Sequence, residues 1–194
     1  SNFFALISRM RYIARWGLMR NALPENIQEH SHMVAVLAHA LGVIRRDIFH
    51  QPCDVNALAT AALYHDASEI LTGDLPTPIK YHNAEIMSAY HAVEDLAVQK
   101  LLGMLPPELR ETYADVLAED KDGDIYPLVK AADKLSAYIK CIEERKAGNN
   151  EFLSAEAQTR AALEASPLPE VQYFLEHFIP AFERDLDELG AIGQ

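Results

Sequence analysis

Asn26-Ile27-Gln28-Glu29-His30-Ser31-His32-Met33-Val34-Ala35-Val36-Leu37-Ala38-His39-Ala40-Leu41-Gly42-Val43-Ile44-Arg45-Arg46 reads as one long amphipathic helix. Val34, Leu37, Leu41 and Ile44 step by three and four, which places them on one stripe of a 3.6-residue period. His30 lies four residues before Val34, so that stripe begins with an imidazole facing the core. Working outward, segment 2–15 is also amphipathic and breaks at Gly17 to Pro24. Asp54 is a natural N-cap for a helix running to about Asp66, and residues 72–78, with a glycine and two prolines, form a loop. Further helices are expected over 83–102, 107–118 and 127–146, the last closed by Gly148-Asn149-Asn150. Two more are expected over 151–165 and 169–189, with Pro180 kinking the second. Alternating strand patterns are nearly absent, and there is neither a repeat nor a linker. The expectation is an all-α, single-domain helical bundle spanning 1–194.

A chain of 194 residues, 49% of them apolar, is long enough to bury a core. It carries 29 acids against 17 bases, a formal charge of −12, and no Lys/Arg block. That average field repels a nucleic-acid polyanion, so no nucleic-acid partner is expected. A small phosphorylated ligand is still compatible, because a metal and one arginine can reverse the sign locally. No apolar run approaches the roughly 18 to 20 residues that span a bilayer, and no leader-like pattern opens the chain. Cys53 and Cys141 lie far apart and form no CxxC pair, so reduced thiols and a cytoplasmic location are expected.

The chemistry gathers around His65-Asp66, which ends the apolar run Ala57 to Tyr64. His65 continues the phase of Leu58 and Ala62; Glu69 follows four residues later, and a helix extended that far would crowd all three groups at one end. Asp133 lies four residues after Val129, about 40° round its helix, beside the Leu128/Ala132/Leu135/Ile139 stripe. A lone inward histidine is ordinarily a satisfied core residue, and Asp133 beside Lys134 suits an ordinary ion pair. Three helices each aiming an imidazole or a carboxylate inward want a cation or one another, because an unpaired buried carboxylate is costly. Mixed imidazole and carboxylate donors suit Zn, Mn, Fe or Co.

The ordered set His30, His65-Asp66, Asp133 resembles the HD-domain metallophosphohydrolases. Arg15-Trp16 with Leu18-Met19-Arg20-Asn21, Glu29-His30-Ser31 and Tyr64-His65-Asp66-Ala67-Ser68-Glu69 resemble one branch, the bacterial 5'-deoxynucleotidases of the YfbR type. So do Leu71-Thr72-Gly73-Asp74-Leu75-Pro76-Thr77-Pro78, Lys130-Ala131-Ala132-Asp133 and Ala147-Gly148-Asn149-Asn150-Glu151-Phe152. The RW and TGDLPTP elements are the specific part of the match, which spans nearly the whole chain. The resemblance implies an HD-type helical bundle in which His30, His65, Asp66 and Asp133 ligate one divalent metal per chain (Co, Mn, Fe, Zn or Mg). It also implies Glu69 as general acid/base and Arg15 as the guanidinium that orients the phosphate. Trp16 would be a wall of the sugar and base pocket, with Asp74 accepting from the sugar 3'-hydroxyl. Leu75, Pro76 and Thr77 would complete that loop, and His30 and Asp133 would border the substrate. The implied reaction is hydrolysis of a deoxyribonucleoside 5'-monophosphate with loose base specificity, by a homodimer.

Other readings make distinct expectations. HD enzymes acting on nucleoside triphosphates, cyclic nucleotides or guanosine alarmones need more basic groups, and only Arg15, Arg20 and Lys80 are candidates here. A binuclear enzyme would recruit histidines between Asp66 and Asp133, where His82 and His91 fall. A catalytically silent HD module would bind ligand without turnover, and a plain helical interaction domain would hold no metal.

Overall fold

The long helix starts at a reciprocal cap. In the computed structural model, which describes residues 1–76, 83–118 and 120–190, the Asn26 side chain accepts from the Glu29 N–H at 3.0 Å. The Glu29 carboxylate accepts in turn from the Asn26 N–H at 3.2 Å. This capping box satisfies two backbone donors that a helix start would otherwise orphan. The helix, α2 (Ile27–Val43), follows a short α1 (Phe3–Ile7) and a 3-10 segment (Ser8–Tyr12), and passes into a wider π-type turn over Ile44–Ile48. Next comes α3 (Val55–Tyr64), capped by the Asp54 carboxylate, which accepts from Asn56 and Ala57 N–H at 3.1 and 2.9 Å. After a turn comes the four-residue α4 (Glu69–Thr72). The later helices are α5 (Ala84–Gly103), α6 (Pro107–Leu117), α7 (Tyr126–Lys146), α8 (Leu153–Glu164), α9 (Pro169–His177) and α10 (Leu186–Gly190). Among the described residues there is no strand; one isolated bridge pairs Ala14 with Asn26.

The main core lies where α2 packs on α3 and α7, with α8 against α7 and α9 reaching α8 and α2. Leu41, Leu58, Leu128, Leu135 and Ile142 are fully enclosed there, each worth about 1.5–3 kcal/mol of apolar burial. A second cluster, Phe3, Ala67, Leu101, Leu102, Leu105 and Leu117, ties the N-terminus to α5 and α6. It buttresses the turn that carries His65 and Asp66.

Three expectations need correction. Segment 2–15 is not one helix: α1 gives way to the tighter 3-10 segment. Segment 169–189 is not one kinked helix, because α9 ends at His177 and Pro180 opens a separate 3-10 segment (Ile179–Glu183). Proline lacks the N–H that a continuing helix needs but fits the first turn of a new one. The helix from Asp54, expected to run to about Asp66, ends slightly earlier and makes no continuous extension to Glu69. It stops at Tyr64, and the reversal at residues 65–68 turns His65 and Asp66 into a corner.

Candidate metal centre

His30 sits at the end of the first turn of α2, fully buried, and Asp133 sits in the second turn of α7. His65 caps the C-terminus of α3, and its Nδ1 lies 2.7 Å from the Ala62 carbonyl. A carbonyl only accepts, so Nδ1 carries the hydrogen and the neutral ring presents a lone pair at Nε2. That Nε2 is 3.1 Å from Asp66 Oδ2, another acceptor. His30 Nε2 is 3.1 Å from Asp133 Oδ1 and 3.5 Å from Asp66 Oδ2, while its Nδ1 meets Ser136 Oγ at 3.1 Å. Both Nε2 atoms are buried and neither makes an aligned hydrogen bond. Two orphaned ring nitrogens facing two carboxylates are costly as a dry cluster and well matched to a cation.

Among the described residues, donor atoms of His30, His65 and Asp133 lie within 4.8 Å of one another. Asp66 Oδ2 joins them by touching both imidazoles. Burial pushes the Asp66 and Asp133 carboxyls upward, but the adjoining imidazoles outweigh it and hold both well below the ordinary carboxylate range. Lys130 adds to that effect on Asp133. His65 moves the other way: burial lowers its pKa, Asp66 and Asp133 raise it, and the net is upward. Two ionised carboxylates and two imidazoles form a hard-to-borderline N/O donor set, suited to a divalent ion rather than to a closed thiolate site.

Arg15 reaches this cluster from the loop between the 3-10 segment and α2. Its Nη1 is 3.7 Å from Asp66 Oδ2, and its Nε donates to Glu25 Oε2 at 3.0 Å. Burial opposes its charge, yet Asp133, Asp66, Glu25 and Asp74 together raise its pKa. Asp74 therefore acts electrostatically on the same guanidinium. Trp16 Nε1 donates to the same Glu25 oxygen at 3.2 Å, and its ring meets Phe152 edge-on at 5.3 Å. Glu69 is buried in α4, with its backbone N–H donating to the Asp66 carbonyl at 3.0 Å. Leu75 and Pro76 are half-buried in the loop after Asp74, and Thr77 lies outside the described residues.

Two of the groups considered for other chemistries are engaged elsewhere. Arg20 pairs with Glu151 at 2.6 Å, and His91 Nδ1 meets Glu94 Oε2 at 3.0 Å. Lys80 and His82 lie outside the described residues. Both cysteines are free thiols; burial pushes Cys141 up to about 12. No helix among the described residues is long and apolar enough to cross a membrane.

Three contributors were missed in the sequence. Ser136 lies three residues after Asp133 on the same helix face, a spacing that could have flagged it. Glu144 is fully buried and accepts from the Ala22 and Leu23 N–H groups at 2.8 and 3.0 Å, which ties the Arg15–Trp16 loop to α7. Read as Lys140-x-x-x-Glu144, it looks like an exposed pair. Glu25 carries no periodic signal at all.

Comparison with solved structures gives the class. An HD-domain phosphohydrolase from Listeria innocua superposes with a TM-score of 0.82 at 25% identity, over 93% of this chain and 88% of that one. The HD phosphohydrolase DatZ of cyanophage S-2L, solved with dA and one catalytic Zn2+ ion, matches with a TM-score of 0.58 at 25% identity, over 95% and 96%. The family model for 5'-deoxynucleotidase YfbR-like proteins matches residues 2–182, and the chain belongs to that family. Proteins named 5'-deoxynucleotidase YfbR from Escherichia coli and Shigella boydii are each 50% identical over 191 residues, 98% of this chain and 96% of theirs.

Proposed function

We propose that the protein hydrolyses 2'-deoxyribonucleoside 5'-monophosphates to deoxynucleoside and inorganic phosphate. The observation that carries the reading is the four-residue cluster His30, His65, Asp66 and Asp133 with the buried Arg15 guanidinium on its edge. A divalent ion held by those carboxylates would, with Arg15, reverse the sign of the field locally in a chain of net charge −12. The substrate class is supported by the named activity of the half-identical relatives and by the dA held in DatZ.

His30, His65, Asp66 and Asp133 would hold one divalent ion, drawn from Co, Mn, Fe, Zn and Mg. When bound, such an ion acidifies water and polarises a phosphoryl oxygen. Arg15 offers its Nη groups to the phosphoryl oxygens and offsets the charge that builds on them as water attacks in line. Glu69 takes the proton released when the new P–O bond forms and returns it to the 5'-oxygen as the old P–O bond breaks. Asp74 accepts from the 3'-hydroxyl, with Leu75, Pro76 and Thr77 shaping the loop around the sugar. Trp16 walls the sugar and base, and close packing at C2' disfavours a ribose hydroxyl. With Arg20 paired to Glu151, Arg15 is the cation left to meet phosphate among the described members of the candidate set, which favours one phosphate over three.

We take the working unit to be a cytoplasmic homodimer, consistent with the free thiols and with exposed Phe4, Tyr12 and Leu63. Light scattering reads its mass. The function itself is tested by phosphate release from mono-, di- and triphosphates of both sugars. Release from deoxyribonucleoside monophosphates above all others is expected; none from them, or a preference for triphosphates, overturns the reading.

A further inference from the structure

We infer that Glu25 is the positioning residue for both substrate-facing groups of the loop, setting Arg15 and Trp16 through a single carboxylate oxygen. This rests on the phosphatase reading of the same site. Glu25 Oε2 accepts from Arg15 Nε at 3.0 Å and from Trp16 Nε1 at 3.2 Å. Both members of the ion pair are largely enclosed, with side-chain exposures of 13% for Arg15 and 17% for Glu25. The backbone repeats the link, because the Arg15 N–H donates to the Glu25 carbonyl at 3.0 Å beside the Ala14–Asn26 bridge.

Two consequences follow from this geometry. With its Nε edge held by Glu25, the guanidinium turns an Nη edge to the metal ligands, where Nη1 lies 3.7 Å from Asp66. A planar fork held on one edge is pre-oriented on the other, which suits a phosphoryl group. Trp16 has φ of +58°, a left-handed conformation that a bulky residue adopts only when its surroundings impose it. The indole contact with Glu25 is one such constraint, and the edge-on ring of Phe152 is another. One oxygen thus gangs the phosphate ligand to the sugar wall. A change at Glu25 disturbs rate and sugar discrimination together, although Glu25 itself touches neither the metal ligands nor the phosphate.

The test compares wild type, Glu25→Ala and Glu25→Gln, each loaded with Mn2+ or Co2+, on deoxyadenosine and adenosine monophosphate. Trp16 is the only tryptophan, so its emission reports the contact directly. Glu25→Ala is expected to lower kcat/KM for the deoxynucleotide about 10- to 100-fold, the range for losing a charge-assisted anchor. It should also shrink the deoxyribose-to-ribose ratio, shift the emission to the red and open it to acrylamide quenching, with helical circular dichroism unchanged. Glu25→Gln keeps an acceptor oxygen and should hold the emission and the ratio near wild type while raising KM. It carries the test alone if the alanine variant fails to fold. Wild-type emission and ratio in Glu25→Ala, or a red-shifted emission and collapsed ratio in Glu25→Gln, overturn the inference. If wild type releases phosphate from no nucleotide, the functional reading falls, while emission and quenching still decide whether Glu25 holds the indole.

Discussion

Replacing Glu144 with alanine removes the acceptor that fastens the Arg15–Trp16 loop to α7. Its fully buried carboxylate accepts from the Ala22 and Leu23 N–H groups, from Asn149 Nδ2 at 2.7 Å and from Lys140 Nζ. Lys140 is itself 3% exposed and donates to the Leu23 carbonyl as well. Removing one partner of a buried pair strands the other, at about 3–5 kcal/mol. Water reaching the freed loop N–H groups places the expectation near the lower end. A second route gives a similar figure. Burial pushes the Glu144 carboxyl up, but Lys140, the two backbone N–H groups and Asn149 pull it down to about 2 from an ordinary 4.5, a difference worth about 3 kcal/mol. Because the folded state binds this proton more weakly than the unfolded chain, that stability is complete above pH 4.5 and is lost as pH falls towards 2. Thermal and urea unfolding of wild type, Glu144→Ala, Lys140→Met and the double variant measures it. At neutral pH Glu144→Ala should melt roughly 10 °C lower, given about 2–4 °C per kcal/mol for a chain of this size. The gap to wild type should narrow between pH 5 and 3, and the double variant should recover part of the loss. A cost below about 1 kcal/mol at neutral pH, or no coupling between the two sites, refutes the reasoning.

Glu69→Gln should lower kcat by about 10²–10⁴ while metal content stays at the wild-type level; parallel loss of both makes Glu69 structural. Metal affinity, followed by calorimetry, should weaken as pH falls, because the upward-shifted His65 keeps its proton to higher pH and the ion must displace it. An affinity flat across the imidazole range counts against the assigned ligands. Gly148, at φ of +82°, closes α7 with its N–H on the Arg145 carbonyl and the Asn149 N–H on the Glu144 carbonyl. Gly148→Ala should therefore cost about 1–2 kcal/mol in urea unfolding, and a neutral result removes the strain argument.

The helices were legible where period and cap agree. Asn26 and Asp54 mark their helix starts in the sequence, and both act as caps in the structure. The end of the Asp54 helix was legible to within two residues, expected near Asp66 and found at Tyr64, but the reversal that follows was not, since no glycine or proline interrupts Ala61 to Glu69. What reverses the chain there is tertiary: Ala67 is buried in the second cluster, and His65 is held by the Ala62 carbonyl. Helical phase was enough to bring His30, His65 and Asp133 inward, because their own stripes pack on one another. Arg15 and Trp16 lie on irregular backbone, so only resemblance pointed to them. Their supports, Glu25 and Glu144, act across sequence gaps that no local pattern encodes.

The most direct test of the account is metal content measured alongside phosphate release from deoxyadenosine monophosphate, in wild type, His65→Ala and Asp133→Asn. One divalent ion per wild-type chain is predicted, with ion and phosphate release lost together in both variants. Two tightly held ions per chain, or full phosphate release by Asp133→Asn without its ion, would contradict it.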